Sequence, residues 1–137
     1  METLLSLLLL FNTSLPIPKK LDTCLKDITK NKIIYQVNKI RIENKKGIVC
    51  PSQDLQKEAQ KRADYIYLTG DFSHNKFYQQ FQDKVDMGED LARGYSENSV
   101  VEAWMRSPLH KEIILDDFKE IAVATSGAYT VLWMRKN

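Results

Sequence analysis

The stretch Val101-Glu102-Ala103-Trp104-Met105-Arg106-Ser107-Pro108-Leu109-His110-Lys111 holds one of only two histidines in a chain of 137 residues. Just ahead of it, Ser99-Val100-Val101-Glu102 reads as a capping box that starts a short helix carrying Trp104. Pro108 breaks that helix and opens another, with Ser107 as N-cap, Pro108 at the first helical position and His110 at the third. Trp104, on the inner side of a short helix, reads as core. The Ser107 hydroxyl reads as a cap for the amide of His110, because no Gly-x-Ser-x-Gly elbow surrounds it. The second histidine lies in Phe72-Ser73-His74, and between the two comes Gly88-Glu89-Asp90-Leu91-Ala92-Arg93-Gly94-Tyr95. Separations of 15 residues (His74 to Glu89) and 21 (Glu89 to His110) exceed one helix face, so only tertiary structure can assemble these groups. Asp90 reads as solvated, and Tyr95 either lends a hydroxyl to a cleft rim or packs.

Working outward, the period upstream is helical. From Thr29 to Gly47, Ile33, Ile34, Val37, Ile40 and Arg41 recur on one stripe, with Lys45 and Lys46 in the last turn where cations suit the helix dipole. Ser52 is the N-cap of a second helix, Asp54 sits in its first turn, and Gly70 stops it. Leu55, Ala59, Ala63 and Ile66 form its buried face, whereas Gln56, Lys57, Gln60, Lys61 and Asp64 face water; the alanines permit close approach to a sheet or helix. Phe77 and Phe81, four apart, anchor a polar helix around residues 75–84. Phe118 to Met134 alternates around Ser126-Gly127 and reads as a β-hairpin. Helices framing a late hairpin, with a short earlier strand at Glu89, give an α+β fold whose sheet is covered on two sides.

These motifs together resemble a bacterial domain of the CAP superfamily, named for cysteine-rich secretory proteins, antigen 5 and pathogenesis-related 1 proteins. The resemblance runs from Val37-Asn38-Lys39-Ile40-Arg41 through Leu55, Ala59, Arg62 and Ala63, then Phe72-Ser73-His74, Gly88-Glu89-Asp90-Leu91-Ala92 and the Trp104 stretch, to Phe118-Lys119-Glu120-Ile121-Ala122-Val123-Ala124. It implies an α-β-α sandwich with a small antiparallel sheet flanked by helices and a central cleft. His74, Glu89 and His110 would be the cleft residues, with Ser107 and Tyr95 beside them. Ser107 stands where eukaryotic members carry a second glutamate, and Ala122 and Ala124 stand where glycine is usual. Lysines outnumber arginines fifteen to five, which points to an AT-rich genome, and the resemblance extends to surface CAP-domain lipoproteins of spirochaetes.

The N-terminus and the cysteines bear on the compartment. Leu4 to Phe11 is an apolar run of eight residues, far short of the roughly twenty that span a bilayer. It matches the core of a secretory signal, although Met1-Glu2-Thr3 supplies no positive charge. The chain therefore divides into a leader (1–20), a spacer (21–29) and one CAP-like domain (30–137), exported or at the cell surface, with membrane contact only through a signal or a lipid anchor. Cys24 and Cys50 leave three readings open: a disulfide, a lipidated Cys24 behind a lax lipoprotein signal, or Cys50 as a small core residue with Cys24 free. With 20 basic and 18 acidic side chains and no arginine–aromatic interleaving, nucleic acid is set aside.

Two imidazoles and a carboxylate are the donor set for zinc or another divalent metal, with His74 and His110 as ligands. Glu89 would be a third ligand, or the acceptor that fixes one imidazole tautomer. Two functions follow. One is a non-catalytic module whose cleft takes a metal and a small-molecule, lipid or protein ligand. The other is a metal-assisted hydrolase of peptides or esters. The missing second acid and the absence of His-Glu-x-x-His favour the module.

Overall fold

The computed structural model describes residues 16–81 and 86–136. The apolar run Leu4–Phe11 lies outside the described residues, as does the end of the helix expected to reach residue 84. Helix α1 spans Lys19–Thr29 and buries Cys24, Leu25 and Ile28. Those positions, with half-buried Leu21, repeat at one, four, five and eight, a helical stripe. Residues 21–29 are thus helical, on a stripe that is short and counts a cysteine among its apolar members. Lys19 and Lys20, assigned to the leader, open this helix and are exposed.

Helix α2 is Lys32–Glu43. Its N-cap is Asn31, whose side-chain oxygen accepts from the amides of Ile33 and Ile34 at 3.0 Å each. The helix therefore starts after Thr29 and ends before Gly47, where Lys45 takes a left-handed turn with φ 60°. Arg41 belongs to the buried stripe. Its guanidinium donates to the carbonyls of Gly47 (2.8 Å), Ile114 and Asp116 (2.7 Å each) and Phe118 (3.3 Å), tying the α2 C-terminus to the chain entering the hairpin. A cation this deep is tolerated only because its donors are met.

Strand β1, Cys50–Pro51, leads into helix α3, Gln53–Thr69. Ser52 caps α3 through Leu55 N–H, and Gly70 ends it with φ 74°. Then come α4 (Asn75–Gln80), β2 (Met87–Arg93), α5 (Val100–Met105), α6 (Pro108–Leu115), β3 (Glu120–Ser126) and β4 (Tyr129–Arg135). The hairpin stands as expected. The sheet order is β1-β3-β4-β2; β1 lies parallel to β3, and the remaining pairs are antiparallel.

One face packs α1, α2, α5 and α6 through Val37, Val101, Trp104, Ile114 and Ile121. The other packs α3 and α4 through Leu55, Ala59, Ala63, Ile66, Phe77 and Trp133. This is the expected α-β-α sandwich. Gly88 is where β2 passes the hairpin entry: a Cβ there would meet the Phe118 ring at 2.9 Å. Trp104 donates its indole N–H to the carbonyl of Leu91 at 2.9 Å, so α5 covers the outer edge of β2. The capping box at Ser99 does not form. Its hydroxyl pairs instead with Ser96 at 2.9 Å, a partner in the preceding turn.

Cys24 and Cys50 are joined in a disulfide across 26 residues, their Cα atoms 5.3 Å apart. With both sulfurs in one bond, the lipidated and the free readings of Cys24 fall. The bridge pins α1 to the edge strand, and closing such a loop contributes about 3 kcal/mol by chain-entropy arguments. In urea titrations, the Cys24→Ala/Cys50→Ala protein is expected to lose about that much stability. Trp104→Ala, emptying a 2 %-exposed site, is expected to lose about 3–5 kcal/mol.

Candidate functional site

The site grows from a charge on an apolar stripe. Along α3 the buried positions are Leu55, Ala59, Arg62, Ala63 and Ile66, and Arg62 is only 4 % exposed. Its partner is Glu89 on β2, whose side chain is fully covered. The pairing is a fork: Arg62 Nε donates to Glu89 Oε2 at 2.8 Å and Nη2 to Oε1 at 2.9 Å. Nη2 also reaches the carbonyl of Ser73 at 2.6 Å, which fixes the loop just before His74. From β4, the indole of Trp133 donates to Glu89 Oε2 at 2.6 Å. His74 closes the set, its Nδ1 lying 2.9 Å from Glu89 Oε1.

Burial alone would push the Glu89 carboxyl up. The hydrogen bonds from Arg62, His74 and Trp133, together with the Arg62 charge, outweigh it and hold the group below the usual range. The carboxylate is ionised and accepts a hydrogen bond from His74 Nδ1–H, which leaves Nε2 of that ring as the atom open to a ligand. His74 is more than a third exposed and lies at the N-cap of α4 with Tyr78 beside it.

His110 sits in the first turn of α6, and its Nδ1 is 2.8 Å from Ser107 Oγ. Ser107 holds the N-cap backbone position with Pro108 following, but its hydroxyl serves the imidazole and makes no cap to the helix amide. Burial, and then the charge of His74, lower the His110 pKa, so the ring is neutral at pH 7. The structure thus brings His74 to Glu89, and His110 to Ser107. Tyr95 is 49 % exposed and makes no hydrogen bond or ring contact with them.

The metal expectation meets a constraint here. Glu89 spends both oxygens on Arg62, Trp133 and His74, and so acts as the tautomer-fixing acceptor rather than a ligand. Among the described residues no three His, Cys, Asp or Glu side chains are grouped to hold a metal ion. A catalytic zinc site takes three protein ligands, and this chain offers two imidazoles. The three-ligand set does not fit.

Arg62 and Trp133 are site residues that the sequence reading passed over. Arg62 had a signal: a charge at the seventh step of an apolar stripe needs a buried counter-charge. Trp133 had none, since an indole in an alternating strand reads as core. Asp90 is not solvated but 1 % exposed, with Oδ2 lacking a partner. Alternation along β2 turns it to the opposite sheet face from Glu89. Burial, then the neighbouring Glu89 charge, raise its pKa to about 8.

Residues 34–131 match the model of the cysteine-rich secretory protein family, CAP. The chain belongs to that family. Among solved structures it is similar to an outer surface protein of Borrelia burgdorferi, at 22% identity and a TM-score of 0.65, over 77% of this chain and 90% of that one. An extracellular SCP-domain protein of Bacillus anthracis gives 17% identity and a TM-score of 0.69, over 90% of this chain and 45% of that one. A cysteine-rich secretory protein of Staphylococcus aureus gives 12% identity and a TM-score of 0.68, over 89% and 40%. The chain thus spans less than half of these last two proteins. A comparison with curated proteins gives no match.

The ionised pair and its neighbour on β2 lead to opposite pH dependences. Glu89→Gln leaves the Arg62 cation buried without a counter-charge and is expected to cost about 3–5 kcal/mol in urea unfolding. Because the folded pKa of Glu89 is depressed, its stabilisation is present above the ordinary carboxylate range and is lost as pH falls through the folded value; the variant should lose that acid sensitivity. Asp90 behaves oppositely. Its raised pKa means the fold keeps a proton that the unfolded chain gives up, so stability falls as pH rises from about 4 to about 8. The advantage of Asp90→Asn over the parent should grow across that window, by at most about 1.4 kcal/mol per pH unit.

Proposed function

We propose that this chain is an exported, non-catalytic binding module whose cleft, walled by His74 and His110, takes a small-molecule, lipid or protein ligand. The observation that carries this reading is the state of Glu89. The carboxylate bonded to His74 is ionised but occupied by an arginine fork and an indole, so it is not free to take a proton from water. What the cleft offers a ligand is hydrogen-bonding capacity: the His74 ring nitrogen turned away from Glu89, the corresponding atom of His110, and the Ser107 hydroxyl. Each ring is held by a bond at Nδ1, which lowers the entropic cost of meeting a ligand.

Export is supported by the leader-like run Leu4–Phe11 and by the Cys24–Cys50 bridge, which belongs to oxidising compartments. The similar proteins are named as outer-surface, extracellular and secretory. No helix among the described residues is long and apolar enough to cross a membrane.

A divalent metal such as zinc would be held by His74 and His110 alone, with Glu89 orienting the first ring and the bound ligand or water completing the shell. The competing reading, a metal-assisted hydrolase, needs a carboxylate on the metal or on its water, and Glu89 serves neither.

The discriminating experiment is a turnover screen on peptides and esters, with and without zinc, comparing the parent with His74→Ala. No zinc-dependent turnover above the variant is expected; turnover abolished by His74→Ala would overturn the module in favour of the hydrolase. In parallel, calorimetry should find zinc affinity falling from pH 7 to pH 5 as the imidazoles protonate, and lost in His74→Ala and in His110→Ala. Zinc binding that survives both substitutions would put the metal elsewhere.

A further inference from the structure

Strand β1 pairs with β3 over two residues only, because the chain turns into α3 at Ser52. Along β3 the backbone groups that point away from β4 recur at every second residue. At Lys119 and Ile121 they are met by the β1 side: Cys50 N–H donates to the Lys119 carbonyl at 2.8 Å and Ser52 N–H to that of Ile121 at 3.3 Å. Among the described residues, no strand lies beside the next two outward positions, Val123 and Thr125.

Side chains of α3 fill those places. The Gln56 amide faces Val123 with both its groups: Nε2 donates to the Val123 carbonyl at 2.7 Å, and Oε1 accepts from the Val123 N–H at 3.2 Å. That is the two-bond exchange a residue of a neighbouring strand would make. One helical turn on, Gln60 Nε2 donates to the Thr125 carbonyl at 2.9 Å. The match in spacing is geometric. Four helical residues rise about 6 Å and two strand residues about 6.6 Å, so glutamines at i and i+4 stay in register with alternate strand residues. Ala59 and Ala63, both fully buried, let α3 lie close enough for the amides to reach.

We propose that Gln56 and Gln60 act as a side-chain continuation of β1, an autoinhibitory contact that closes the sheet edge at Val123–Thr125 against strand addition by a second copy of the chain. An edge with free N–H and C=O groups is a template for antiparallel pairing about a two-fold axis. Here the template is already occupied from within.

The test uses the full chain with its disulfide intact and the substitutions Gln56→Met and Gln60→Met, singly and together. Methionine keeps the length, bulk and helix preference of glutamine and removes only the amide. In amide exchange, Gln56→Met should speed exchange at Val123 by about tenfold or more while leaving Ala122 and Ala124, which face β4, unchanged. In sedimentation equilibrium up to about 100 μM, a range where weak edge pairing becomes populated, the parent should remain monomeric. The double variant should form a reversible dimer whose Val123 amide regains protection as concentration rises. Unchanged Val123 exchange in Gln56→Met would show that the amide pairing does not exist in solution. Lost protection without self-association, or a parent that already dimerises through this edge, would overturn the guarding role.

Discussion

The surroundings of His74 depend on one buried ion pair, the fork of Arg62 on Glu89. It is the point where α3, β2, β4 and the loop before α4 meet, since Trp133 and the Ser73 carbonyl join the same cluster. Removing water from two charges is costly, and the cost is offset only when geometry and hydrogen bonding are close to complete. Glu89 meets that condition on both oxygens. Arg62 nearly does, with Nη1 alone left without a partner. The pair therefore specifies an arrangement more than it adds stability: α3 can lie on the sheet at only one register that satisfies both ions.

From that constraint follows the character of the site. A carboxylate locked by arginine and tryptophan is a poor base and a poor metal ligand, yet it holds the imidazole of His74 firmly. The ring is consequently held at Nδ1, with Nε2 turned away from the carboxylate. Ser107 repeats the device at His110, its hydroxyl turned to the ring rather than to the helix amide. Behind the same strand, Asp90 is buried without compensation, so β2 carries an ionised and a protonated carboxyl side by side on opposite faces.

Much of this was legible in the chain. The stripes of α2 and α3, the Ser52 cap, the stop at Gly70, the break at Pro108 and the final hairpin are local signals, written in periodicity and in residues with narrow backbone preferences. His74, Glu89 and His110 stood out by motif. Helix α1 was hidden because its stripe is short and depends on a cysteine. The capping assignments at Ser99 and Ser107 failed for another reason: a hydroxyl chooses among nearby acceptors, and its alternatives, Ser96 and the His110 ring, are decided by how the chain is bent.

The sequence by itself determined which segments are helical or extended, which faces they bury, and which few polar residues could matter. Tertiary structure alone decided what those residues do. Cys24 could be free, acylated or bridged until α1 was laid against β1. Glu89 could be a ligand, a base or an orienting acceptor until Arg62 and Trp133 arrived from two other elements. Gln56 and Gln60 looked like water-facing residues until α3 drew close enough to β3 for their amides to reach its edge. Periodicity reports how a segment divides its own surface between core and solvent. The partner of a polar group is set by distances between segments far apart in the chain, and no local pattern encodes those.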